Sequence, residues 1–294
     1  MKLDQLFSTF LTEKLITPNN GKAYGQIIFM AGGAGSGKGF AINNFIEGNK
    51  YKIRDVDAWK QAFLKINSLT GKYPELEGLD LGNPQDVFDL HMFVKEKGIK
   101  EKTLDLLFKD VEQSRLPNIL FDITAKDPSD ISDLLPYLEK VGYDNKNIHL
   151  IWVLTNYKVA LERNLARTRK VPIDVFLQTH SGAALTMTGL LKGAYKYIGN
   201  DGIDGEVHVI LNNADEVKYW QDKNGNFIET KPKEGGTRVK IVKDFSSLML
   251  KSKGKKLTTN KELIDKMDQW VLDNVPPDVA KEIKSGNWAK EKVA

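Results

Sequence analysis

The 294-residue chain is long enough for one large domain or two modest ones, and its 41% apolar and 28% charged residues are typical of folded globular proteins, which excludes disordered and collagen-like classes. The 43 Lys and Arg residues exceed the 39 Asp and Glu residues by four, an excess too small to identify a nucleic-acid partner by itself. The chain has no cysteine, which excludes disulfides, cysteine-ligated zinc, iron–sulfur clusters and thiol nucleophiles.

The opening segment, MKLDQLFSTFLTEKL, predicts an amphipathic helix. Asp4 and Glu13 interrupt its apolar positions, whereas a secretory signal peptide has an unbroken apolar core. No later run reaches the roughly 18 apolar residues that a membrane span needs. We therefore expect a cytoplasmic protein that does not engage a membrane.

Short apolar runs rich in β-branched residues alternate with longer helical patterns along most of the chain. The runs that predict strands are residues 26–30, 51–54, 118–122, 147–154 and 207–211. The patterns that predict helices are residues 39–46, 100–113, 130–141 and 157–169. This alternation predicts an α/β fold with a mainly parallel sheet covered on both faces, in which ligands bind at the carboxyl ends of the strands.

The pattern changes after residue 211. Segments 217–220 and 227–229 flank Asn224-Gly225, a pair that favours a hairpin turn, and 239–242 is compatible with a third strand. Lysines then cluster around Gly254, and the remainder predicts two short amphipathic helices interrupted at Pro276-Pro277. We therefore divide the chain into a main domain, residues 1–250, and a C-terminal helical tail, residues 251–294.

The most informative stretch is IIFMAGGAGSGKGF, in which the pattern GxxxxGK lies between a predicted strand and a predicted helix. In such loops the backbone N–H groups cradle phosphate oxygens, and the lysine reaches the outer phosphates. Five glycines and a lysine within eight residues favour this role over a plain strand–helix turn. The predicted cradle comprises Gly32, Gly33, Ala34, Gly35, Ser36, Gly37, Lys38 and Gly39.

One position departs from the usual motif. Gly39 stands where a Ser or Thr normally coordinates Mg²⁺. Two interpretations are open at this point: a water molecule takes the missing ligand's place, or the protein binds a nucleotide without efficient catalysis.

Acidic residues follow two of the predicted strands. Asp55 and Asp57 come after the second strand, where a carboxylate can accept the proton of a substrate hydroxyl; the alternative role is a solvated helix cap. Asp122 ends the run NILFD, where an acidic residue supports the water shell of Mg²⁺; the alternative is a turn aspartate.

A basic segment, ALERNLARTRKVP, is typical of a mobile lid. Arg163 and Arg167 are four residues apart and are predicted to share one helix face, with Arg169 just before the Val171-Pro172 break. Guanidinium groups that close over a phosphoryl group during its transfer can raise the rate of the transfer about 10³–10⁵-fold. The alternative is a solvated basic face paired with Glu162.

In order and spacing, these motifs resemble the zeta-toxin-like family of P-loop kinases over roughly residues 24–229. MAGGAGSGKGF resembles the family's phosphate loop, and IRDVDAWK resembles its acidic turn. LFDITAKDPSD is similar to its strand with an acid-x-threonine substrate contact, and IWVLTNYKVALERNLARTRKVP to its last strand and arginine lid. HVILNNADEVKYW resembles the closing strand. The resemblance implies a three-layer αβα P-loop kinase core, to which our pattern analysis adds a small β-hairpin region and the helical tail.

The resemblance also implies an activity: transfer of the γ-phosphoryl group of ATP or GTP, with Mg²⁺, to a hydroxyl of a small metabolite or nucleotide sugar. It leaves open an inhibitory protein partner. The positions that it implies are Lys38 at the phosphates, Asp57 as general base, Asp122 and Thr124 at the substrate, and Arg163 with Arg167 or Arg169 as lid arginines. Asp55 is a further candidate for substrate binding, and Asp122 is the candidate for an indirect, water-mediated metal contact.

Two alternatives stay open. In the first, nucleic acid is the acceptor, and the lysines of the tail and of residues 95–102 hold its phosphates. In the second, the protein is a nucleotide-binding switch that has lost turnover together with the missing Ser or Thr. The histidines, His91, His149, His180 and His208, show no metal-ligand spacing and are assigned structural roles.

Overall fold

The computed structural model describes residues 24–44, 46, 48–108, 116–199, 202–213, 223–226, 229–230, 238–239 and 246–286. The helix predicted at the N-terminus, the strand predicted at 217–220, and most of the segments 227–229 and 239–242 lie outside the described residues. Within the described ranges, we find no helix with the length and apolar character needed to span a membrane.

A six-stranded sheet forms the centre of the molecule. The described residues contain eight strands, six of them in this sheet: β1 (Ile27–Ala31), β2 (Lys52–Arg54), β3 (Ile119–Asp122), β4 (Ile148–Leu154), β5 (Val207–Leu211), β6 (Glu229–Thr230), β7 (Arg238–Val239) and β8 (Ser246–Lys251). Strands β6 and β7 pair as a separate antiparallel ribbon. The central sheet has the order β2-β3-β1-β4-β5-β8, with parallel pairing up to β5 and β8 antiparallel at the edge. Strand β1, which leads into the glycine-rich loop, therefore lies in the middle of the sheet.

Helices cover both faces of this sheet. They are α1 (Lys38–Asn44), α2 (Val56–Thr70), α3 (Pro84–Glu96), α4 (Ile99–Phe108), α5 (Ser129–Ser132), α6 (Leu135–Val141), α7 (Tyr157–Leu165), α8 (Ile173–Leu191), α9 (Lys261–Asn274) and α10 (Pro277–Ser285). Alternate residues of β1 point to opposite faces: Ile27 and Phe29 belong to the larger core, and Ile28 and Met30 to a smaller core beneath α1. The predicted three-layer αβα fold with a mainly parallel sheet is confirmed.

The C-terminal helices pack on the larger core. Met267, Val271 and Ile283 are buried in the same cluster as residues of β1 and β4. Strand β8 runs across residue 250, so the predicted domain boundary falls within a strand of the central sheet. The independence of the helical tail stays a prediction that a truncation can test.

The segment between β2 and β3 has a small core of its own. The rings of Phe63, Tyr73 and Phe93 form a triangle with centroid distances of 5.2–5.4 Å, and Leu76 and Leu90 are buried beside them. These side chains hold α2, α3 and the intervening loop together at the β2 side of the sheet. This segment follows the acidic turn directly in the chain.

Candidate active site

The loop after β1 makes turns that favour glycine. Gly32, Gly35 and Gly37 have φ values of 152°, 75° and 88°, all in the region that L side chains avoid. A Cβ at Gly35 would collide with the carbonyl of Ala160, and one at Gly37 with the amide of Asn212. The glycines therefore allow the loop both its curvature and its close approach to Ala160, in the helix after β4, and to Asn212, directly after β5.

Lys38 and Asp122 lie side by side at this loop. Lys38 opens α1, and its Nζ donates to the carbonyl of Gly32 at 2.6 Å. Asp122 ends β3, which neighbours β1, and its Oδ1 is 3.7 Å from the Lys38 Nζ. Both side chains remain partly accessible, at 15% and 19% exposure. The mouth of the loop thus presents an ammonium group that can meet phosphate and a carboxylate that can meet metal-bound water.

Ser36 provides a test of whether the loop fits a phosphate group. Its side chain is buried, and its Oγ has no hydrogen-bond partner within the described part of the chain. A buried hydroxyl without a partner costs about 1–3 kcal/mol. This Oγ lies at the loop itself, 2.7 Å from where a Cβ of Gly32 would be. A phosphate oxygen held by the loop would give the hydroxyl an acceptor, so the residues present fit a nucleotide phosphate.

The loop rests on side chains from the carboxyl ends of β4 and β5. The Thr155 hydroxyl and the Asn212 Nδ2 both donate to the carbonyl of Ser36, each at 2.8 Å. A guanidinium nitrogen of Arg163, on α7, donates to the carbonyl of Asn212 at 3.0 Å. Of the three predicted lid arginines, Arg163 is therefore the one that these contacts tie to the base of the loop.

The lid helix is shorter than predicted. Helix α7 ends at Leu165, so the prediction that Arg163 and Arg167 share a helix face is wrong. The buried Asn164 explains the end of the helix, because its amide donates to the carbonyl of Val171 at 2.9 Å and accepts from its N–H at 3.1 Å. Arg167 is exposed on the segment that Asn164 closes, and Arg169 is half-buried there.

The acidic turn follows β2 at the same edge of the sheet. Arg54 pairs in register with Phe121, so Asp55, directly after β2, and Asp122, the last residue of β3, lie at equivalent positions on neighbouring parallel strands. Asp57 lies in the first turn of α2, and its side chain is outside the described part of the structure. The topology thus brings the acidic turn to the edge of the sheet that carries the phosphate loop.

The strand–loop junction after β3 also reaches the phosphate loop. The carbonyl of Thr124 accepts from the N–H of Gly32 at 3.3 Å, and the Thr124 side chain is half-buried. The next residue, Ala125, has a φ of 53°, an uncommon left-handed conformation for a residue with a side chain. The main chain at Thr124 is therefore held against the loop by an unusual turn.

Two residues of α8 contact the loop, and our sequence analysis missed both. The Thr179 Oγ1 accepts from the N–H of Ala34 at 3.3 Å, and the His180 Nε2 bonds to the carbonyl of the same residue. The His180 ring lies against Gly33. Burial lowers the pKa of His180 to about 4, so the ring is neutral at neutral pH. No motif signals these contacts, because they depend on how a helix about 145 residues away packs against the loop.

No group of three or more His, Asp or Glu side chains in the described ranges could hold a metal ion. Gly39 is exposed and supplies no side-chain ligand. The Asp122 carboxylate lies 3.7 Å from the Lys38 Nζ, which is compatible with the predicted contact to metal-bound water. Most ligands of a Mg²⁺ ion here would have to be phosphate oxygens and water, which Mg²⁺ commonly retains.

No protein-family model and no curated protein sequence matches this chain. Among solved structures, the chain is similar to the AvrRxo1-ORF1:-ORF2 structure with ATP, at a TM-score of 0.50 and 11% identity, over 98% of this chain and 82% of that one. A second similar structure comes from the PezAT chromosomal toxin–antitoxin system of Streptococcus pneumoniae, at a TM-score of 0.41 and 14% identity, over 71% of this chain and 74% of that one. The likeness to the AvrRxo1-ORF1:-ORF2 structure shows a shared fold, which in this chain is the three-layer αβα arrangement described above.

Proposed function

We propose that the protein is a phosphotransferase that moves the γ-phosphoryl group of ATP or GTP to a hydroxyl of a small metabolite or nucleotide sugar. The observation that carries this proposal is the glycine loop with Lys38 and Asp122 side by side at its mouth. A pure nucleotide-binding module needs the loop but does not need acidic residues and arginines around it. The fold shared with an ATP-bound structure supports the same conclusion.

In this proposal the donor phosphates lie in the loop, held by backbone N–H groups, the Ser36 hydroxyl and Lys38. The acceptor hydroxyl oxygen attacks the γ-phosphorus, the bond from that phosphorus to the bridging oxygen breaks, and the nucleoside diphosphate leaves. Asp57 takes the hydroxyl proton, and Arg167 and Arg169 neutralise charge on the phosphoryl group as it transfers. Mg²⁺, held through water by Asp122, would add charge neutralisation at the donor phosphates.

The surface beside the acidic turn supports an organic acceptor. Trp59 lies in the first turn of α2, two residues after Asp57, and is 36% exposed. Exposed aromatic side chains of this kind can stack on a base or a sugar ring. A metabolite or nucleotide sugar suits such a surface.

Two lysines of the tail, Lys251 and Lys253, do not support nucleic acid as the acceptor. Lys251 is buried, and its Nζ pairs with the Asp204 carboxylate at 2.9 Å. The Lys253 Nζ donates to Asn147 at 2.6 Å. These contacts lie at the amino ends of β4 and β5, at the edge of the sheet opposite the phosphate loop. Phosphates bound there would not bring a polynucleotide hydroxyl to the loop.

The experiment that tests the function is transfer of radiolabelled γ-phosphate from ATP and GTP to a panel of nucleotide sugars, nucleosides, small metabolites and oligonucleotides. We expect transfer by the wild type and by Lys140→Met, a variant at an exposed lysine on α6, and none by Lys38→Met. Equal transfer by Lys38→Met would contradict the role of the loop. Tight nucleotide binding without transfer to any acceptor would replace the kinase by the switch.

We extend the proposal to an inhibitory protein partner, because a structure with this fold contains a second protein, ORF2, beside ORF1. A partner of this kind is needed only if the activity harms the producing cell. Expression of the wild type should then arrest growth, and expression of Lys38→Met at the same level should not. Equal growth of both cultures would remove the reason for an inhibitor.

A further inference from the structure

Helix α8 holds both main-chain polar groups of one loop residue. The N–H of Ala34 donates to the hydroxyl of Thr179, and the carbonyl of Ala34 bonds to the ring of His180. Thr179 and His180 are consecutive on the helix, and the Thr179 hydroxyl in turn donates to the carbonyl of Phe176 at 2.8 Å. That second bond orients the hydroxyl so that its lone pair faces Ala34.

The ring of His180 is fixed on both sides. One face packs on the ring of Phe176, with centroids 4.5 Å apart, and the ring edge lies against Gly33. A Cβ at Gly33 would lie 2.6 Å from the His180 Cδ2, so glycine is required there by this helix contact and not by a positive φ. The carbonyl of Ala34 can only accept, so the hydrogen of the neutral ring must be on Nε2.

The electrostatics keep this ring neutral. Burial lowers the pKa of His180 most, and the positive charge of Lys38 lowers it further, against the raising effect of the Ala34 carbonyl. A neutral ring adds no second cation beside Lys38. It therefore acts on the loop through one hydrogen bond and through its shape.

The same helix starts at the end of the lid. Pro172 precedes α8, and Val171 is the residue that Asn164 holds by two hydrogen bonds. The N–H of Lys170 donates to the carbonyl of Leu81, in the loop before α3. One rigid helix of 19 residues thus connects the arginine-bearing segment to the phosphate loop.

We propose that Thr179 and His180 are positioning residues that hold Ala34, and through it the whole phosphate loop, in the conformation that receives a nucleotide. This inference rests on the proposed nucleotide-dependent function. A loop with five glycines between residues 32 and 39 has much conformational freedom to lose on binding. The two hydrogen bonds from α8 remove part of that freedom before the nucleotide arrives, which makes binding tighter.

Two threonines of α8 allow a matched test. Thr179→Val removes the hydroxyl that bonds to Ala34, and Thr188→Val makes the same change where the hydroxyl has no hydrogen-bond partner in the described ranges. We expect Thr179→Val to raise the dissociation constant of ATP, measured by calorimetry, roughly three- to tenfold, as loss of one hydrogen bond predicts. Thr188→Val should bind as the wild type does, and Thr179→Ser, which keeps the hydroxyl, should also do so.

Variants of His180 provide a second, independent test. His180→Phe keeps a ring between Phe176 and Gly33 but has no donor, whereas His180→Gln keeps an N–H at a similar reach. We expect weaker ATP binding in the first variant and partial rescue in the second. Amide hydrogen exchange of residues 32–38 without nucleotide should be faster in Thr179→Val and His180→Phe than in Thr188→Val. This loop-specific readout separates positioning from a general loss of stability.

Wild-type affinity and unchanged loop exchange in both Thr179→Val and His180→Phe would overturn the inference and leave the proposed function intact. A wild-type protein that binds neither ATP nor GTP would instead overturn the proposed function, and the inference with it. Equal weakening in Thr179→Val and Thr188→Val would assign the effect to packing of α8 and would also overturn the positioning role.

Discussion

Gly39 lies in the first turn of α1, directly after Lys38, and the space around it is open. A Cβ at this position would meet no heavy atom within 4 Å. We therefore expect Gly39→Ser to fold normally and to lower the Mg²⁺ concentration for half-maximal transfer, because the hydroxyl adds a ligand that the loop lacks. Gly39→Ala is the matched control, since it adds the Cβ without the hydroxyl. Equal shifts in both variants, measured by Mg²⁺ titration of transfer, would contradict the ligand role.

The acidic turn offers two carboxylates that a paired substitution can separate. Asp57→Asn should lower kcat by about 10²–10⁴-fold, because a general base acts in the transition state, and should leave the affinity for ATP unchanged. Asp55→Asn, in the same turn, should have a much smaller effect on kcat. Steady-state kinetics and calorimetry check both expectations, and the reverse order of effects would move the base to Asp55.

Among the individual site residues, those whose position depends on local chain geometry could be predicted from the sequence. The glycines, Lys38 and Asp122 are recognisable because a phosphate loop and a strand end have fixed spacings. The contacts of Asn212, Thr179 and His180 could not be predicted, since they join the loop to residues 145–176 positions away. Such partners are chosen by tertiary packing, which no short pattern encodes.

The lid arginines differ in the elements that carry them. Arg163 is on α7 and bonds to the carbonyl of Asn212 beneath the loop, whereas Arg167 is exposed beyond the end of the helix. We expect Arg163→Ala to weaken ATP binding roughly tenfold, because a charged donor contributes more than a neutral one. Arg167→Ala should instead lower kcat with little change in ATP affinity. Calorimetry and single-turnover transfer distinguish the two effects. The same effect in both variants would contradict this division and indicate that the two arginines have one role.

Elements with a clear pattern of apolar residues in the sequence were predicted better than elements without one. Strands β1, β3, β4 and β5 were located to within a residue or two, since buried parallel strands are continuous apolar runs. Helix α8 was not predicted, because it is buried on several sides and shows no single apolar face. Strand β8 was missed because it is no continuous apolar run: it begins with two serines and ends in Lys251, whose charge is buried against Asp204. The helix predicted at 130–141 is interrupted after Ser132, before Pro136.

For the molecule as a whole, the C-terminal helices α9 and α10 are part of the larger core. Val271, Val279 and Ile283 are buried in the cluster that also holds β1 and β4. Deleting residues 260–294 should therefore expose this core and give a protein that is insoluble or lacks a cooperative thermal transition. Deleting only residues 287–294 leaves both C-terminal helices intact and is the control. A soluble truncated protein with wild-type melting and ATP affinity would show that the helices are an appendage.

The position of β1 has a consequence for synthesis of the protein in the cell. The glycine loop leaves the ribosome well before its supports, Thr155 and Asn212, which are translated more than a hundred residues later. A topology dominated by such long-range pairings folds slowly and leaves its central strand uncovered meanwhile. Nascent chains should therefore hold no nucleotide until translation has passed β5, and the proposed phosphoryl transfer could begin only after that interval.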